Sequence, residues 1–187
     1  MSGPLDNGAC SALATEIKQH AHALGFQQVG ISHLDLTADE ILLEAWLAKG
    51  YHGDMRYLAR HGRKRSRPAE LIPGTLSVIC ATLNYLPADS ADMRETLNDR
   101  TRGYIARYAL GRDYHKVMRG RLRRLASRIT DRIGAYGYRV FSDSAPVLEK
   151  ALARNAGLGW IGKHTNLLHR EYGSWFFLGE IYTDLLL

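Results

Sequence analysis

Leu76-Ser77-Val78-Ile79-Cys80-Ala81-Thr82-Leu83-Asn84-Tyr85-Leu86 follows the turn dipeptide Pro73-Gly74 and decides the fold. A run this rich in apolar and β-branched residues reads as the central strand of a sheet. Working outward, residues 26–31, 138–141 and 174–184 read as further strands, and 104–110 as extended chain. Helices fall between them. Leu13, Ile17, Ala21 and Leu24 line one face of a helix over 11–24. Thr37-Ala38-Asp39-Glu40 reads as a capping box ahead of a helix that carries Leu43, Trp46 and Leu47 and stops at Gly50, with Trp46 in the core. A short helix is expected over 53–61, and a polar loop with a short helix over 87–100. After Gly111, Met118, Leu122, Leu125, Ile129 and Ile133 form the apolar stripe of a long helix. Pro146 suits the first turn of a last helix over 147–155. Strands interleaved with helices predict an α+β domain, a mixed β-sheet with helices packed on its faces.

The 187 residues suit one domain, and 45% hydrophobic with 24% charged residues is the composition of a folded globular chain. No stretch is apolar for the ~18 residues that a membrane helix needs, and residues 1–15 lack the pattern of a secretory signal. The expected location is therefore cytoplasmic, with no membrane partner. Cys10 and Cys80 are the only cysteines, so a thiolate-ligated zinc or iron–sulfur site cannot be built from this chain, and no metal ligands are assigned. Cys80 reads as a core residue.

Charge is segregated. Eight basic residues and two acids lie between Arg112 and Arg132, so this window carries the whole net charge of +6. A second basic window, 56–67, is free of acids. Both suggest a polyanionic partner.

Three constellations stand out. Asp143 follows a strand and precedes a helix, where it is either a catalytic acid or a cap for free N–H groups. Gly157-Leu158-Gly159-Trp160-Ile161-Gly162-Lys163-His164-Thr165-Asn166 combines backbone freedom with polar groups and suggests a pocket, although Gly157 alone reads equally as a helix C-cap. Arg107-Tyr108-Ala109-Leu110-Gly111-Arg112-Asp113-Tyr114-His115 can hold a phosphate or an aromatic ring, or be a solvated helix start. Leu185-Leu186-Leu187 either docks in the core or runs on into further chain.

Residues 108–115, Asp143-Ser144-Ala145-Pro146-Val147-Leu148-Glu149-Lys150, residues 157–168 and Tyr172-Gly173-Ser174-Trp175-Phe176-Phe177-Leu178-Gly179-Glu180, in this order, resemble the signature of the epoxyqueuosine reductase family. The resemblance runs from about residue 17 to the last. It implies a cobalamin-dependent oxidoreductase that reduces epoxyqueuosine to queuosine in the tRNA anticodon loop, on a domain related to the corrinoid domain of reductive dehalogenases. Asp143 matches the family's proton donor, which predicts a carboxyl raised above its ordinary pKa by burial. Lys163, Asn166 and Leu167 would line the corrin, with Arg65, Ala106 and Arg107 in other cofactor-contacting stretches. The basic helix, with Arg119, Arg121, Arg123, Arg124 and Arg128, would face the phosphates of a tRNA with a queuosine-type wobble base. The family continues into a ferredoxin-like module with two [4Fe–4S] clusters. Residues 1–187 are thus expected to be its cobalamin-binding catalytic domain, truncated before that module. It would be a monomer that needs an electron donor and is inactive alone. The alternatives are a non-catalytic tRNA-binding module that has lost redox function, and a flavin-binding reductase on a similar sheet.

Overall fold

In the computed structural model, which describes residues 7–86 and 90–187, the chain runs α1 (Asn7–Ala23), β1 (Gln28–Ser32), α2 (Thr37–Ala48), α3 (Pro68–Leu71), β2 (Ser77–Asn84), α4 (Met93–Asn98), α5 (Tyr114–Ile133), β3 (Tyr138–Phe141), α6 (Glu149–Asn155), β4 (Trp160–Ile161), β5 (Leu167–Leu168) and β6 (Phe176–Thr183). Residues 1–6, read above for a secretory signal, and 87–89, at the start of the expected polar loop, lie outside the described residues.

The α+β class with helices on the sheet is what the chain adopts. The four-stranded sheet has the order β1-β2-β6-β3, and every pairing is antiparallel, where a mixture with parallel pairs was expected. β2 is central because it is apolar on both sides. Ile79, Ala81 and Leu83 face α1 and α5, and Val78 and Cys80 face α6. Side chains alternate sides along a strand, so a strand covered on both faces shows no polar alternation in sequence. The stripe on α5 behaves as its spacing predicts: Met118, Leu122, Leu125 and Ile129 are buried. Each such side chain contributes about 1.5–3 kcal/mol of transfer free energy. Leu185 and Leu187 pack against this same core.

Several local expectations are corrected. Thr37 does not cap α2. It lies inside the helix, and Asp35 accepts from its N–H at 3.0 Å and its hydroxyl at 2.6 Å. α2 has no buried residue, so Trp46 is half-exposed rather than core. Ion pairs hold α2 instead: Glu40 to Arg67 at 2.8 Å, Glu44 to Arg63 at 2.6 Å, and Asp39 to Arg154 at 2.8 Å. Arg63 and Arg67 of the 56–67 basic window are thus paired with acids inside the fold, while Arg56, Arg60 and Lys64 of the same window are exposed. The helix expected over 53–61 is a single 3-10 turn, Arg56–Leu58, followed by another at Gly62–Arg65, and the extended reading of 104–110 gives way to a 3-10 turn at Arg107–Ala109. Pro146 precedes α6 by three residues instead of lying in its first turn. Gly157, at φ +78°, ends α6: its N–H donates to Arg154 O and that of Leu158 to Ala153 O, a Schellman cap.

Candidate active site

Asp143 sits on a short loop between β3 and α6, at φ +61°, a left-handed conformation uncommon for a residue with a side chain. Its carboxylate caps no helix. Tyr114, the first residue of α5, donates its hydroxyl to Asp143 Oδ2 at 2.5 Å, and His115 Nε2 lies 2.9 Å from the same oxygen. The other imidazole nitrogen is 3.1 Å from Asp113 Oδ1, and Asp113 also caps α5 through the His115 N–H. In its imidazolium form His115 donates to both carboxylates. The Tyr114 ring lies between His115, 4.0 Å away, and Phe177 of β6, 3.9 Å away and almost parallel to it. Stacking on both faces fixes the direction of the hydroxyl.

The electrostatics correct one expectation. Asp143 is lowered from its ordinary carboxyl value, first by the Tyr114 hydroxyl and then by His115, which outweigh its partial burial. Its side chain is 54% exposed, so burial alone cannot raise it. Tyr114 shifts upward, through burial and its bond to Asp143. In this state the proton-bearing groups at the site are Tyr114 and His115, with Asp143 as their shared acceptor.

Two acids behind Asp143 carry raised values. Glu149, at the start of α6, is pushed up to about 6 by burial and then by the charge of Asp143, whose backbone N–H it accepts. Glu180 of β6 is 1% exposed, with neither carboxylate oxygen hydrogen-bonded, and is raised well above the usual range by burial and by Glu149 and Asp143. It stands in a row across the sheet with Gly30, Cys80 and Phe141. An ionised carboxylate without partners in such a place is prohibitively costly, so Glu180 is a neutral acid. Because the folded state holds this proton and the unfolded state releases it near 4.5, the stability it contributes is full below 4.5 and lost as pH rises. Glu180→Gln should remove that slope. Denaturant unfolding at several pH values from 5 to 9 should show the variant gaining on the parent by about 1.4 kcal/mol per pH unit until Glu180 ionises. Parallel profiles would mean Glu180 titrates normally.

Three depressions meet here. The largest, about 860 Å³, is bounded by Leu42, Leu43 and Trp46 of α2, by Tyr57 and Arg65, and by the loop from Asp143 to Leu148. Arg65 is 9% exposed; its guanidinium donates to Tyr57 O at 3.3 Å while its Nε has no partner among the described residues. A second, about 680 Å³, includes Arg102, Arg107, Arg112, Arg121, Tyr104 and Tyr114. Between them a cavity of about 130 Å³ touches Tyr114, Asp143, Glu149, Lys150, Asn166 and Leu167.

The residues expected to hold a cofactor are therefore divided. Arg65 faces the large cleft beside Asp143, and Asn166 and Leu167 border the small cavity. Arg107 borders the second cleft, while Ala106 and Lys163 border none of the three. The glycine segment runs from the Gly157 cap into the β4–β5 hairpin, where two of its glycines are closely approached by neighbouring atoms. A Cβ on Gly159 would lie 2.0 Å from Leu168 O, and one on Gly162 2.8 Å from the His164 ring. On α5, Arg123 and Arg124 are exposed. Arg119, Arg121 and Arg128 are half-buried and donate to the carbonyls of His115, Gly25 and His20, the last two closing the C-terminal end of α1. Tyr114, His115, Glu149 and Glu180 were not singled out for the proton chemistry. The one available signal was Glu180, a lone carboxylate in a strand of core residues.

Comparison with solved structures first gives the class. The catabolic reductive dehalogenase NpRdhA superposes over the whole chain, using 21% of its own length, with a TM-score of 0.58 at 18% identity, which establishes a common fold. Epoxyqueuosine reductases are nearer. The enzyme from Streptococcus thermophilus gives a TM-score of 0.76 at 26% identity over 92% of this chain and 46% of its own. A Bacillus subtilis epoxyqueuosine reductase with its catalytic aspartate loop swung out of the active site gives 0.74 at 25%, over 95% of this chain and 46% of its own. The family model described as "Epoxyqueuosine reductase QueG, DUF1730" matches residues 65–144. Among curated relatives, the epoxyqueuosine reductase of Xanthomonas campestris is 59% identical over 92% of this chain and 48% of its own length, and that of Salmonella typhimurium 56% over 99% and 47%. The chain belongs with the epoxyqueuosine reductases and spans about half the length of the curated relatives it matches.

Proposed function

We propose that this chain is the cobalamin-binding catalytic part of an epoxyqueuosine reductase, acting in the cytoplasm on the anticodon loop of tRNA. The observation that carries this reading is the apolar cleft of about 860 Å³ that opens directly onto Asp143, whose carboxylate is held by Tyr114 and His115. Its residues fit a corrin. Leu42, Leu43, Trp46 and Tyr57 offer a flat apolar wall, and Arg65 supplies a buried donor that is still unpaired for a polar group at the macrocycle's edge. Bound there, cobalamin would supply low-potential electrons.

The chain's own residues manage protons. Removing an epoxide oxygen as water consumes two electrons and two protons. Tyr114 and His115 hold protons against Asp143 Oδ2, which projects from the loop at the cleft mouth. Asp143 then passes a proton to the epoxide oxygen as its C–O bonds break. In one structure of a related enzyme from Bacillus subtilis an aspartate-bearing catalytic loop is swung out of the active site, and the loop carrying Asp143 is the counterpart this reading requires. A structure of a related reductase holds an epoxyqueuosine-modified tRNA-Tyr stem loop (TM-score 0.78, 25% identity, 95% of this chain and 47% of that one). For tRNA contact, exposed Arg123 and Arg124 lead the set of five, while Arg119, Arg121 and Arg128 are half-buried and each spend one N–H on a backbone carbonyl. The chain's two cysteines cannot ligate a [4Fe–4S] cluster, so the electrons must reach this part from elsewhere.

Titrating the chain with cobalamin tests the reading. The expected result is a saturable difference spectrum with quenching of Trp46, and affinity about tenfold weaker in Arg65→Ala, as for the loss of a hydrogen bond to a charged group. A yellow protein with bound flavin and no response to cobalamin would overturn it in favour of a flavin reductase.

A further inference from the structure

The reaction proposed above needs two protons, and Tyr114 and His115 both meet Asp143 at the single oxygen Oδ2. Behind it lies a second supply. Glu149 holds the Asp143 loop by accepting its backbone N–H, and both side chains border the same polar cavity of about 130 Å³. A cavity of that size with several polar groups on its wall accommodates water. Glu180 lies behind Glu149, closed off from solvent and without a hydrogen-bond partner among the described residues.

We propose that Glu149 is a positioning residue that shares its carboxyl proton with Asp143 across this cavity, restocking the acid after its first transfer, with Glu180 as a neutral floor that keeps charge from settling behind it. The inference rests on reading Asp143 as the acid. The step balances: the Glu149 carboxyl O–H breaks, the Asp143 carboxylate gains that proton, and the second proton leaves with the epoxide oxygen as water. Glu149 is recharged from solvent through the cavity. The groups that face Glu149 are Asp143 and Tyr114 across the cavity, Lys150 next in sequence and Glu180 below it. Lys150 turns its ammonium to Thr165 O at 2.9 Å, and its charge lowers Glu149 by less than burial and Asp143 raise it. Glu180 itself faces Cys80 and Tyr182, both neutral and raised by burial.

Carboxyl-carbon NMR titration of this 187-residue chain tests the sharing without any cofactor. Asp143 should titrate in two steps, one below the ordinary carboxylate range and a second near 6 that coincides with Glu149. Glu149→Gln keeps an acceptor for the Asp143 N–H but has no proton to share, so it should erase the second step while the loop stays in place. Read from the other side, Asp143→Asn should lower the Glu149 midpoint by about one unit, since a like charge is removed. That second variant decides the matter if the first does not fold. A single-step Asp143 curve that Glu149→Gln leaves unchanged, with a Glu149 midpoint indifferent to Asp143→Asn, would overturn the proposal. Two-step titration in a chain that ignores cobalamin would instead keep the proton sharing and sink the epoxide reading.

Discussion

Gly30→Ala is expected to cost this chain about 3 kcal/mol or more, the upper range for an overpacked core, and to lower Tm by roughly 6–12 °C. Gly30 lies in β1 opposite Cys80, on the side of the sheet that α6 covers. A Cβ there would fall 2.1 Å from Ala156 O and 3.0 Å from the Ala156 Cβ. Both belong to the end of α6, and backbone at a helix end cannot step aside as the tip of a flexible side chain does. The Ala156 carbonyl precedes the Schellman cap, so relief requires moving α6 or opening the sheet. Moving α6 also moves Glu149, and with it the Asp143 loop. Thermal unfolding measures the first effect. Gly179→Ala in β6 provides a contrast: its Cβ would meet the side chains of Met118 and Leu122 at 2.8–2.9 Å, which can rotate, so its loss should be smaller. Equal melting points for Gly30→Ala and the parent would show that α6 is free to slide.

Asp143→Asn is expected to lower kcat for epoxide reduction by ~10²–10⁴-fold, the usual contribution of a general acid, in a reductase carrying the family's full length. Asparagine is the right probe because it tolerates a positive φ better than most residues with a side chain, so the loop at +61° is kept. It retains an oxygen for the Tyr114 hydroxyl but cannot carry the proton onward. The tRNA KM should change little, which separates loss of the acid from loss of binding. The variant should also change the response of the fold to acid. Asp143 is lowered in the folded state, so the stability it contributes is present above the unfolded value of 3.8 and lost as pH falls through the lower folded value. Asparagine removes that component. Unaltered kcat would move the acid to Tyr114 or His115.

The elements that could be read from the chain were those whose sequence period equals their burial period. β2 is covered on both faces and so shows an unbroken apolar run, and α5 repeats its buried residues every three or four positions. α2 shows why the method has an edge. Its Leu43, Trp46 and Leu47 have helical spacing, yet Leu43 and Trp46 border a cleft and α2 is attached by Asp39, Glu40 and Glu44. Periodicity reports which face is apolar, not what covers it. At the site, Asp143 was legible from its place after a strand, but its electrostatics were not. They depend on Tyr114 and His115, nearly thirty residues away, brought in by the antiparallel return of the chain. On the basic helix, arginines look alike in sequence whether all their N–H groups meet solvent or, as in Arg121 and Arg128, one is bonded to the carbonyl end of another helix.

The sheet order has a consequence for synthesis. β2, the most apolar strand, pairs along its whole length with β6, the last strand of the described chain. As the ribosome works from the N-terminus at ~5–20 residues per second, residues 85–175 must be made first, which leaves one edge of β2 without its partner for roughly 5–20 s. β1 can zip onto the other edge early, but the open edge is of the kind that pairs with other chains. Nascent forms of this protein thus carry their greatest aggregation hazard in the interval before β6 emerges, and holding that strand apart is a task for chaperones rather than for the fold.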